Sequence, residues 1–156
     1  ADETQERLPR LGAGGHRVSR LPALLVTHGR LGDALVEAAE RIIGRLEGVA
    51  VLSNDGLSRD ALTEAVREHV KAFGPDGGVL FVDVAGGSCA QAALGVAARA
   101  AAGPTPVITG VNLPMLLDFA HHRGDLEPRA LAARLAEKAQ AAVVVFEGRP
   151  APGPPA

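Results

Sequence analysis

The chain has 156 residues, 47% of them hydrophobic and 22% charged, which suits one globular domain with a real core. A formal charge of −2, with no tryptophan or tyrosine, excludes the basic face and stacking platform that a nucleic-acid partner requires, leaving proteins or small molecules. Cys89 is the only cysteine, which excludes an internal disulfide and a cysteine-built zinc site, and no apolar run reaches the ~18 residues that cross a bilayer.

Residues 1–20 are rich in Arg, Glu and Gly without a sustained apolar period, and read as a flexible tail. The first residues carry acids rather than a basic start with an apolar segment, so a soluble mature protein is expected. His16 lies in Gly12-Ala13-Gly14-Gly15-His16-Arg17, which lacks the third glycine and the preceding strand of a nucleotide loop, and reads as linker.

The folded domain is expected over 21–147, where short apolar runs alternate with helical patterns. The run Ala23-Leu24-Leu25-Val26-Thr27 reads as a buried parallel strand ending at His28. The helix after it carries Leu35, Ala38, Ala39, Ile42, Ile43 and Leu46 on one stripe, expected to face the core. Val49–Leu52 reads as a strand, and Ser58 can cap a helix bearing Leu62, Val66, Val70 and Phe73, with His69 as a packing residue beside its apolar stripe. Gly78–Asp83 is the next strand, Ser88–Ala102 an alanine-rich helix, and Pro106–Thr109 a fourth strand. Asn112–His122 reads as a short helix whose adjacent His121 and His122 sit at a solvated end, facing apart. Pro128 starts a helix to about Ala141, Val143–Phe146 is expected to be a last strand, and the Pro/Gly-rich 148–156 is a second tail.

This alternation predicts an α/β fold: a single doubly wound domain, its mainly parallel sheet in the order 2-1-3-4. In that order the first and third strands are neighbours, so His28 and Asp83 face each other where ligands gather, at the carboxyl ends of the strands. A carboxylate on one ring nitrogen fixes the tautomer and raises the basicity of the other, which is what a nucleophilic histidine needs. Gly86-Gly87-Ser88 then offers converging N–H groups at a helix N-terminus, an arrangement suited to phosphoryl oxygens. The same turn also reads as a plain loop with Ser88 as N-cap. Thr27 either orients the ring beside phosphate or completes the strand end. Asn112, Leu113 and Pro114 either line the crevice or start a helix and plug the core.

Val26-Thr27-His28-Gly29, Val82-Asp83-x-x-Gly86-Gly87-Ser88 and Thr109-Gly110-Val111-Asn112-Leu113-Pro114-Met115-Leu116 together resemble the enzyme IIA domain of the mannose-type sugar phosphotransferase system. The resemblance runs from about Leu21 to Phe146. It implies that His28 accepts a phosphoryl group from the histidine phosphocarrier protein and passes it to a IIB domain, with Asp83 paired to the histidine. It also implies a homodimer that exchanges a C-terminal strand, here Val143–Phe146, and no cofactor. Two positions depart from the family pattern: Ala85 replaces a bulky or aromatic residue, and Cys89 replaces a proline. An exposed ring is a frequent interface anchor, so its loss bears on the IIB partner more than on the chemistry. Cys89 reads either as a reactive thiol, since the first turn of a helix favours a thiolate, or as a packed small residue among alanines.

The alternative to the carrier is a regulatory interaction protein whose phosphorylation state at His28 signals to a non-transport partner. A third reading, a metal enzyme using His28, Asp83 and one further ligand, lacks an evident third ligand at a strand end. The expected location is the cytoplasm, with the membrane reached only through permease subunits.

Overall fold

Strand β1 (Ala23–Thr27) is buried at every residue, because it runs down the middle of the sheet with β2 (Val49–Ser53) on one side and β3 (Val79–Val82) on the other. The computed structural model describes residues 20–148 together with Gly153; most of both terminal tails, His16 included, lies outside the described residues. With β4 (Val107–Thr109) beyond β3, the order is β2-β1-β3-β4 and every pairing is parallel, as the alternating apolar runs require.

Five helices cover the two faces: α1 (Leu31–Ile43), α2 (Arg59–Lys71), α3 (Ser88–Ala97), α4 (Leu113–His122) and α5 (Pro128–Ala141). Alternate residues of a strand point to opposite faces, so β1 divides its side chains between two cores. Ala23 and Leu25 join Phe81, Ile108 and the inward faces of α1, α4 and α5, whereas Leu24 and Val26 join Leu80, Val82 and the faces of α2 and α3. Phe81 meets Phe119 edge to face, with ring centroids 5.4 Å apart. A two-pronged Arg134–Asp118 ion pair at 2.9 and 3.0 Å ties α5 to α4.

Side-chain oxygens start three of the helices: Ser58 accepts from the Ala61 N–H, Asn112 from Met115 and Glu127 from Ala130. Gly77 closes the approach to β3 at a φ of +78°, and a Cβ there would stand 2.0 Å from the Pro104 carbonyl oxygen.

Three expectations differ from the structure. In α1 the stripe buries Ala39 and, beyond the helix, Leu46, but Ile42 and Ile43 in its last turn are exposed. Helix α3 ends at Ala97, five residues short of Ala102; the Arg99 and Ala100 N–H groups donate to carbonyls three residues back, at Val96 and Ala97, which tightens the chain into a turn. Val143–Phe146 forms no strand within this chain, and its four side chains are 58–83% exposed. Among the described residues no strand pairs with this apolar run.

Candidate functional site

The register aligns Thr27 with Ser53 and Val26 with Val82, so the chain leaves β1 at His28 and β3 at Asp83 side by side. His28 Nδ1 lies 2.9 Å from Asp83 Oδ2, and the His28 backbone N–H donates to the same oxygen at 2.9 Å. The Val84 N–H donates to Oδ1 at 3.0 Å. Burial opposes ionisation of Asp83, but the donors from His28, the charge of its ring and the Val84 N–H outweigh it, holding the carboxyl below its usual range. An ionised Asp83 has no proton to share, so Nδ1 carries the proton between them, and in the neutral form of the ring Nε2 presents its lone pair. The histidine side chain is 46% exposed while that of Asp83 is 8% exposed: the anchoring carboxylate is buried and the outer edge of the ring is open.

Gly87 stands on that open edge. Its φ is +94°, and a Cβ on it would sit 3.9 Å from Nε2. Gly87, rather than Ser88, is the N-cap of α3, and no side chain caps this helix. Ser88 is the first residue inside it, half-buried, while Gly86 is exposed. The first N–H groups of α3 therefore start beside the imidazole without a capping oxygen, a local positive end. At α1, by contrast, the Thr27 hydroxyl accepts from the Gly32 N–H at 2.9 Å. Thr27 is fully buried, and of its two expected roles this bond matches the completion of the strand end: it joins β1 to the first turn of α1. A Cβ on Gly32 would stand 2.8 Å from that hydroxyl, so this junction needs glycine.

The third motif is used to begin α4. Asn112 is the cap, Leu113 packs against the core and Pro114 is exposed in the first turn. His69 Nδ1 lies 2.8 Å from the Ala65 carbonyl oxygen, and His122 lies between Asp118 and Asp125, so neither belongs to this site.

Cys89 is the residue whose place the sequence did not reveal. It is fully buried in the α2–α3 core, yet its sulfur and ligand atoms of His28 and Asp83 all lie within 4.8 Å of one another. Such a nitrogen, oxygen and sulfur set can hold a thiophilic divalent ion such as zinc. Burial, and the charge of Asp83, push the Cys89 thiol up against a weaker opposing bond from Ser88, so without an ion it stays protonated at neutral pH. The signal was its position six residues after Asp83, in the first turn of a helix that returns over the strand ends.

No helix among the described residues is long and apolar enough to cross a membrane. In sequence comparisons no curated protein matches the chain. Its fold is similar to that of the phosphotransferase system component EIIA from Streptococcus agalactiae, with a TM-score of 0.74 at 22% identity, covering 80% of this chain and 96% of that one. It is also similar to the mannose/sorbose specific IIA subunit from Enterococcus faecalis, with a TM-score of 0.72 at 23% identity, covering 86% of this chain and all of that one. The mannose-type enzyme IIA family model, described as PTS system fructose IIA component, matches residues 23–141, which hold all four strands and all five helices, and the chain belongs to that family.

Proposed function

We propose that this protein is a phosphocarrier in which His28 Nε2 accepts a phosphoryl group from the histidine phosphocarrier protein and passes it to a IIB domain. The observation that carries this reading is the bond between His28 Nδ1 and Asp83 Oδ2, which in the neutral ring turns the Nε2 lone pair toward the exposed edge. In the transfer, the Nε2 lone pair forms a new N–P bond as the N–P bond of the donor histidine breaks, and the donor nitrogen keeps the electron pair. Asp83 balances the charge that the imidazole gains, and the N–H groups from Gly86, Gly87 and Ser88 onward receive the phosphoryl oxygens. Positioning and electrostatics suffice for such a step, so the reading assigns no cofactor.

The partner surface includes Val84 and Ala85, both exposed, where the loop carries no aromatic anchor. That feature favours, as a second reading, a regulator that reports the phosphorylation state of His28 to a non-transport partner. The exposed run Val143–Phe146 supports a homodimer that exchanges this segment as a strand. The reading puts the protein in the cytoplasm, meeting the membrane through permease subunits.

The test is phosphorylation from phosphoenolpyruvate through enzyme I and the histidine phosphocarrier protein, comparing wild type with His28→Ala by intact mass. One acid-labile phosphoryl group per wild-type chain, missing in the variant, is expected. Full acceptance by His28→Ala overturns the assignment. Transfer of the label to a IIB domain separates the carrier from the regulator.

A further inference from the structure

At the opposite end of the sheet from His28, Arg20, Arg45, Arg123 and His121 line one cavity of about 200 Å3. Arg20 precedes β1, Arg45 lies between α1 and β2, and Arg123 follows α4, with its carbonyl accepting from the Leu21 N–H at 2.9 Å. The five residues of β1 separate this cavity from His28 by roughly 16 Å, at about 3.3 Å per residue.

The remaining lining is aliphatic, so among the described residues no carboxylate lines the cavity. Arg20 and Arg45 have no ion-pair partner among the described residues. Arg123 is only 3% exposed. It donates one bond from Nη1 to the Glu47 carbonyl oxygen at 2.6 Å, and its buried Nε has no partner. A buried arginine without a carboxylate is costly, because its charge has lost water without gaining an ion pair. Burial and the like charge of Arg20 push its pKa down, and the Glu47 carboxylate, which does not line the cavity, offsets this only in part.

We propose that this cavity is a second anion site, which takes a small soluble phosphate monoester. A doubly charged group with several oxygens matches one buried guanidinium with two exposed ones around it, and arginine forks suit phosphate oxygens. The aliphatic wall accepts a short carbon chain. The volume falls below the ~300 Å3 at which drug-sized ligand pockets begin, so a nucleotide does not fit. The concave shape with a buried arginine favours a free phosphate over a lipid headgroup.

The test is an NMR titration of the 15N-labelled full chain with inorganic phosphate against chloride at matched ionic strength. It needs no phosphoryl donor, so it stands or falls apart from the role of His28. Saturable shifts at Arg20, Arg45 and Arg123 are expected, weakened about tenfold by Arg20→Gln or by Arg45→Gln, the loss of one charge-assisted hydrogen bond. Both of these arginines are exposed, so their variants fold even if Arg123→Gln does not. Shifts that grow linearly, that appear only at the Gly86–Ser88 turn, or that survive both substitutions overturn the site. So does binding to phosphatidylglycerol vesicles without binding of inorganic phosphate.

Discussion

A single oxygen of Asp83 accepts from His28 twice, once from the ring and once from the backbone N–H, each at 2.9 Å. The carboxylate thus fixes both where the histidine sits and which way its ring faces. Asp83→Asn keeps the shape and removes the charge, leaving an amide that can present either its oxygen or its NH2 to Nδ1. The second arrangement puts the proton on Nε2 and silences it. We expect phosphoryl acceptance to slow by roughly 10²- to 10⁴-fold, the range for a histidine that loses the carboxylate fixing its tautomer, with folding intact. Quenched-flow measurement of acid-labile phosphate checks this; an unchanged rate would separate Asp83 from the chemistry.

The same contacts give stability a pH dependence. The folded-state pKa of Asp83 lies below its ordinary value, so this contribution is fully present above about pH 4, where the unfolded carboxyl titrates, and is lost as pH falls through the folded value. The stability difference between wild type and Asp83→Asn in urea is therefore expected to shrink between pH 6 and pH 3. A gap that widens on acidification contradicts the lowered pKa.

Cys89 should be inert in the native protein. It is fully buried, and burial raises its thiol pKa, so two requirements for reaction with a disulfide reagent, access and thiolate, are both missing. Ellman's reagent at pH 7.5 is expected to label it only after unfolding in urea, at a rate set by opening of the fold. Prompt labelling of native protein would mean that the first turn of α3 opens, and prompt protection by added zinc would identify the His28–Asp83–Cys89 cluster as an ion site.

The parts of this fold legible in the sequence were those set by local pattern and parallel-sheet logic. Ala23–Thr27 is an apolar run too short for a helix, and its burial on both faces makes it a central strand; from the order 2-1-3-4, the neighbourhood of His28 and Asp83 followed. Features that depend on which atom meets which were not legible. Thr27 beside His28 left open whether its hydroxyl orients the ring or completes the strand end; that hydroxyl accepts from an N–H five residues ahead, a bond no spacing rule discloses. Ser88 looked like a cap because serine favours that position, yet Gly87 takes it with a positive φ that serine would resist. The arginine cavity stayed hidden because Arg20, Arg45 and Arg123 belong to three separate connections that meet only once the sheet is wound.

Val143–Phe146 supplies the last prediction. These four apolar residues follow α5 immediately and are 75%, 58%, 83% and 61% exposed in turn, a patch that a water-soluble chain covers when it can. Their β-branched, aromatic-ended sequence is suited to a strand, and a strand needs an edge. The sheet ends at β4, only three residues long and incompletely buried, so an open edge exists beside it. If a second copy supplies the missing strand, each protomer covers the other's patch and edge in one symmetric exchange. We expect a dimer by light scattering at micromolar concentration, and a monomer when the chain is cut after Ala142. Association through the patch alone gives a spread of masses that grows with concentration, whereas the exchange gives a single mass of two chains. A full-length monomer, or a dimer that survives truncation, would show that the patch is covered some other way.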